Sequence, residues 1–176
     1  NSADLTLTSL TRAVGGGTIN FTAATGGLIG SSSRILIPII NGVSTNTAFN
    51  ALNDGILGGW AVIGTSDWAS YVPGLGVGVL GQQGFAQYSN IVTTPTTLAN
   101  SAATDNVNLN TASITSLVND DVTINSLRFG NVATNTVNIA AGKTLTLESG
   151  GLLFFSTAAQ NLGAVGGTSQ WSTGTI

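Results

Sequence analysis

Cysteine, histidine and methionine are all missing from this chain. Without cysteine there is no disulfide, thiolate metal site or cysteine nucleophile. Without histidine, the serine and cysteine triads that use an imidazole base are excluded, and so is a histidine-based zinc site. Charge is scarce as well. Only 6% of residues are charged, where ordinary globular proteins carry about a quarter. The four cations, Arg12, Arg34, Arg128 and Lys143, are scattered along a chain of net charge −3. Neutralising a phosphate backbone needs clustered cations, so nucleic acid is not an expected partner, and an anionic membrane surface is disfavoured for the same reason. Long apolar runs are lacking too. The longest aliphatic stretch, Ile35 to Ile40 with Pro38 inside it, is far too short to cross a bilayer. Residues 1–20 carry no basic start followed by an apolar core, so no signal peptide is read there.

What is present is apolar content of 42% and 24 glycines, with Thr, Ser and Asn covering the polar positions. That argues against disorder and for an exported β-protein rather than a cytosolic enzyme. The organising stretch is Val122–Phe155. Val137 and Ile139 share one face, then Leu145 and Leu147, then Leu152 and Phe154. Short corners lie between them at Ala140–Lys143 and Ser149-Gly150-Gly151. A period of two means a strand with one buried face, and the corners are too short for helices. The same alternation is read at Leu5, Leu7 and Leu10, at Ile19 and Phe21, at Ile35, Ile37 and Ile39, at Leu75, Val77 and Val79, and at Val107 and Leu109 running on to Ile114 and Leu117, and a further apolar strand is read over Ile56–Ile63. Asn41-Gly42 and Asp54-Gly55 are turn dipeptides that tolerate positive φ. A short helical turn is read at Ala48–Leu52, a polar loop at Thr93–Thr97, and further apolar positions at Val165 and Trp171.

Strand and corner repeating at about eight residues is the pattern of a β-solenoid. The chain is therefore predicted to be all-β, a right-handed parallel β-helix forming one domain over residues 1–176, with a more irregular, loop-rich part at 64–105 where a binding surface is expected. Its end carries no polar cap, which predicts a segment of a longer chain or a stacking subunit. The alternative architecture is a β-sandwich, pilin-like, with residues 3–10 as a donor strand.

Three segments carry a resemblance: GGTINFT at 16–22, DGILGGWAVIGTSDWA at 54–69, and NSLRFG at 125–130 running into LTLESGGLL at 145–153. In order and rough spacing they resemble a unit of the autotransporter-associated β-strand repeat proteins, large secreted bacterial passengers. The resemblance implies a parallel β-helix displayed outside the cell, without enzymatic activity. That family shares no catalytic motif, so no functional residue is carried over. Ile35–Phe49 and Gly76–Tyr88 are less regular than the family pattern, and no transporter barrel is present in the sequence.

The chemistry left open is that of carboxylates: Asp4, Asp54, Asp67, Asp105, Asp120, Asp121 and Glu148. Glycoside hydrolysis needs two carboxyls facing one sugar. Asp120 and Asp121 are adjacent, and neighbours on a strand point to opposite faces. Distant acids such as Asp67 and Asp105 would have to be brought together by the fold. Asn119-Asp120-Asp121 offers a few of the six to eight oxygens that calcium takes, and a solvated corner explains it as well. Trp60 is expected in the core. Trp68 and Tyr71 are the candidate glycan contacts, with core packing as the competing reading. Arg128, between Leu127 and Phe129, is expected to point outward or to bridge corner carbonyls, with Glu148 as a candidate partner. No catalytic residue, metal site or cofactor is assigned. The expected function is a non-enzymatic, extracellular or cell-surface structural protein, a stiff scaffold or filament segment that self-associates through open β-edges or coil ends. The alternatives are an adhesin-type module that binds glycan or a cell surface, and a donor-strand filament subunit.

Overall fold

Apolar alternation marks part of the strand content, as in Asn135–Ile139, where every second residue is buried. The computed structural model describes residues 3–23, 28–45, 54–92, 98–110, 115–130, 133–155, 158–164 and 172–173. The readings at Ala48–Leu52, Thr93–Thr97, Ile114, Val165 and Trp171 lie outside the described residues, and so does the side chain of Leu117. The chain divides into two compact units, Asn1–Gln87 and Tyr88–Ile176.

The first unit contains β1 (Ala3–Thr6), β2 (Ile19–Phe21), β3 (Ser33–Leu36), β4 (Ile39–Ile40), β5 (Val43–Ser44), β6 (Ala61–Ile63), β7 (Asp67–Val72) and β8 (Gly76–Val79). Its strands form a parallel β1–β3 pair, a β4–β5 hairpin and a mixed sheet ordered β2-β6-β7-β8. In that sheet β2 and β6 run parallel, while β6–β7 and β7–β8 run antiparallel. Thus the β7–β8 hairpin occupies part of the 64–105 stretch. The β4–β5 turn is Asn41-Gly42, with φ of 50° and 79°, the left-handed pair that a two-residue hairpin requires. The core gathers Phe21, Ile37, Ile40, Leu57, Trp60, Tyr71 and Val77.

The second unit contains β9 (Asn90–Val92), β10 (Asn106–Leu109), β11 (Thr115–Val118), β12 (Val122–Phe129), β13 (Asn135–Ile139), β14 (Leu145–Phe154), β15 (Gln160–Ala164) and β16 (Ser172–Thr173). A 3₁₀ turn spans Leu98–Asn100. One sheet is ordered β16-β14-β12-β10-β9 and the other β11-β13-β15. Every ladder in both is parallel. Val107, Leu109, Ile124, Leu127, Phe129 and Val137 are fully buried at the centre of this core.

Three expectations are corrected. The chain is not a right-handed parallel β-helix over 1–176: among the described residues the strands fall into five small sheets, partly antiparallel and none of them closed. The β-sandwich alternative is not formed either, since the second unit has only parallel ladders and β1 pairs with β3 in parallel. A side-chain period of two reports which face of a strand is buried. It does not report whether the next strand returns antiparallel or crosses over, which the connection decides. Second, Ile35, Ile37 and Ile39 do not share a face. β3 ends at Leu36 and the chain bends at Pro38, so Ile37 is buried and Ile39 is exposed. Likewise only Ala61–Ile63 of the 56–63 stretch is strand, because Gly58 takes φ 124°. Third, Ser149-Gly150-Gly151 is no corner. β14 runs straight through it, and Glu148, Ser149 and Gly150 bulge opposite the single residue Asn125. Ser149 holds the bulge: its hydroxyl donates to the Asn125 carbonyl at 2.7 Å and accepts the Gly151 N–H at 3.2 Å.

Candidate functional site

The two residues predicted to meet glycan sit on β7 and face inward. Trp68 is 1% exposed and Tyr71 4%. The Tyr71 hydroxyl accepts the Ile37 N–H at 3.0 Å, and Thr45 Oγ1 donates to the Ile37 carbonyl at 2.6 Å. Tyr71 thereby secures the backbone where β3 ends at Leu36. Neither ring presents a face to solvent, so the glycan-contact expectation for Trp68 and Tyr71 is corrected to a packing role. Trp60 is buried, with Arg12 over its ring at 5.9 Å.

The acidic residues are engaged locally. Asp121 Oδ1 accepts the Thr144 N–H at 2.9 Å, and exposed Asp120 lies 3.6 Å from Lys143 Nζ. Both therefore fasten the corner before β12 to the start of β14. Among the described residues no group of three or more His, Cys, Asp or Glu is placed to hold a metal ion. Asp105 Oδ2 accepts the Ala102 N–H at 2.8 Å within its own turn. Asp67 opens β7 in the first unit. Asp4 and Arg34 form a two-pronged ion pair, one contact being Nε to Oδ1 at 2.8 Å. The hydrogen bond from Arg34 holds the Asp4 carboxyl below the usual carboxylate range, and the same bond raises Arg34.

The most elaborate polar site was only glimpsed in the sequence. On one face of the five-stranded sheet, register places Asn106 beside Ser126 and Asn108 beside Arg128. Asn106 Oδ1 accepts from Asn125 Nδ2 at 2.8 Å and from Ser126 Oγ at 2.7 Å, all of them buried. Arg128 is 8% exposed. Its Nη1 donates to Asn108 Oδ1 at 3.0 Å, and its guanidinium lies 5.5 Å from the Tyr88 ring and 5.7 Å from the Phe155 ring. The expectation of an outward Arg128 is thus corrected: the side chain is sandwiched between aromatic rings, while Glu148 is exposed. Gly130 makes the room. A Cβ there would come within 2.3 Å of both Arg128 Nη1 and Asn108 Oδ1. The alternation of Asn106 and Asn108 with Val107 and Leu109 was the available signal. It gives two faces, and only the register shows that the polar one is covered.

Compared with protein-family models, curated proteins and solved structures, the chain matches none. The fold and this site define a mostly-β protein whose buried polar groups tie strand to strand.

Proposed function

We propose that the chain is a non-enzymatic structural protein of the cell exterior, a scaffold element whose copies join through free sheet edges. The observation that carries this reading is the parallel five-stranded sheet. Among the described residues its order ends at β9 on one side and β16 on the other, and an unpaired parallel edge is a template for another chain. The buried Asn–Ser–Arg network supports it, since cross-strand hydrogen bonds resist strand separation where charge is scarce. A surface poor in charge also lacks the repulsion that keeps soluble proteins apart. Sedimentation and electron imaging across a concentration series test the reading. Particles that lengthen with concentration are expected, and a single compact monomer at every concentration would overturn it.

A second reading, glycan binding, is favoured by Phe155. Phe155 is 40% exposed, and the solvent-facing side of an aromatic ring suits the apolar face of a sugar. Loss of retention on a glycan array by Phe155→Ala, at unchanged thermal stability, would support it.

A further inference from the structure

Residues 3–10 are joined to the rest of their unit by backbone pairing rather than by burial. Ala3–Thr6 is exposed at every position, yet β1 is docked in full register on β3, from Ala3 beside Ser33 to Thr6 beside Leu36. The docking continues past the strand. The Leu7 N–H donates to the Leu36 carbonyl, the Leu10 N–H to the Ile39 carbonyl and the Asn41 N–H to the Leu10 carbonyl, each at 2.9 Å. The Asp4–Arg34 ion pair fixes the register. Leu7 and Leu10 contribute partly buried surface to the core, whereas Leu5 is 54% exposed.

The connection that follows is of a different kind. Residues 11–18 are mostly exposed, Val14 entirely so at 99%, and they include Gly15-Gly16-Gly17. They lead to β2, which belongs to another sheet. Arg12 ties this linker down: its Nη2 donates to the Gly16 carbonyl at 3.1 Å and its Nε to the Gly17 carbonyl at 3.3 Å. Fully extended, these residues reach about 28 Å.

We propose that residues 3–10 are an exchangeable arm, and that the acceptor surface formed by β3, Arg34 and the Ile39–Asn41 backbone takes the same segment from a second copy of this chain. The acceptor is complementary to the arm whichever copy supplies it, because register, ion pair and backbone bonds are identical in the two cases. Only the linker favours the arm of the same chain, through an effective concentration on the order of millimolar. Exchange therefore becomes populated when copies are crowded, as in an assembly, or when the linker is too short to fold back. The inference rests on the self-association reading and adds a second joint to the sheet edges named there.

Because the chain has no cysteine, the exchange can be trapped. Ala3 and Ser33 are register partners, and neighbouring strands about 4.8 Å apart fall within disulfide reach. Their substitution by cysteine leaves Asp4 and Arg34 in place. The Ala3→Cys, Ser33→Cys double variant, oxidised in dilute solution, is expected to crosslink within one chain. Oxidised after incubation at about millimolar concentration, it is expected to give dimers and longer species on a non-reducing gel. Separately purified Ala3→Cys and Ser33→Cys variants, incubated together, should give mixed disulfides several-fold in excess of either homodimer. Deleting Gly15–Gly17 in the double variant should shift the crosslink from within to between chains even in dilute solution. Intrachain crosslinks alone under all these conditions, with no excess of mixed disulfide, would overturn the proposal. If particles nevertheless lengthen with concentration, the scaffold reading stands and the arm is not its joint.

Discussion

The two units solve the same problem, strands without charge or crosslinks, by opposite means. Asn1–Gln87 uses mixed pairing and tight reversals: ten of its described glycines, with Asn41 and Asp54, sit at positive φ. Among the described residues Tyr88–Ile176 has only parallel ladders, and there just Gly142 and Gly150 take positive φ. Reversing a chain in two residues requires left-handed backbone, while a crossover to the next parallel strand does not. In the first unit, Trp68 Nε1 and Ser70 Oγ are buried without a hydrogen-bond partner. In the second, Asn106, Asn125 and Ser126 are knitted together across strands.

Five substitutions would break or sharpen that contrast. Phe129→Ala has the largest expected effect. Phe129 is wholly buried and stacked on Phe154 at a ring separation of 4.8 Å, and truncating such a ring costs about 3–5 kcal/mol, to be read from denaturant unfolding. Next comes the polar knot. Asn106→Ala removes the acceptor that Asn125 Nδ2 and Ser126 Oγ share, and is expected to cost about 1–3 kcal/mol in the same measurement. A smaller effect would mean that the network contributes no more than an apolar contact does. Third is a pair on β7. Tyr71→Phe removes the acceptor of the Ile37 N–H and is expected to lower stability by about 1 kcal/mol. Ser70→Ala removes a hydroxyl that makes no bond and is expected to leave stability unchanged or raise it by up to about 1 kcal/mol. Opposite signs from neighbours on one strand would show that the first unit tolerates unpaired polar groups without depending on them.

The smallest effect concerns pH. The folded Asp4 carboxyl titrates below its unfolded value, so its ion pair contributes stability above the ordinary aspartate range and loses it as pH falls through the lowered folded value. Arg34 is raised, and its share is complete at every pH below the ordinary arginine value, being lost only in strong alkali as pH rises through the raised one. Thermal melts should therefore show Asp4→Asn closing its gap to the parent protein only in strong acid. A gap that persists at the acid end would mean that the pair contributes through shape rather than charge. The effect is small because both side chains are solvent-exposed and screened.

Much of the strand content was legible, because a buried face leaves a mark at every second residue. Val137 and Ile139, Leu145 and Leu147, Val107 and Leu109 are all on strands and all buried. The turns at Asn41-Gly42 and Asp54-Gly55 were legible from dipeptide chemistry, and all four residues take positive φ. The architecture was not. Alternation is the same in parallel and antiparallel strands, so the β7–β8 hairpin and the parallel ladders of the second unit look alike in sequence. The candidate site was misplaced for a related reason. Trp68 and Tyr71 are aromatic in a polar-looking stretch, and only packing shows them inside. Arg128 is a lone cation between two apolar residues, and its sandwich draws Tyr88, Asn108 and Phe155 from separate parts of the chain.

Composition and pattern alone fixed that this protein is built of strands, has no imidazole or thiol chemistry and carries only four cations. These follow from residue type and from a local period, which no fold can change. Which strands pair, in what direction, and which polar side chains are covered was decided only by tertiary structure, because each depends on where distant segments meet: Asn106 beside Ser126, Asn108 beside Arg128, and residues 3–6 beside 33–36.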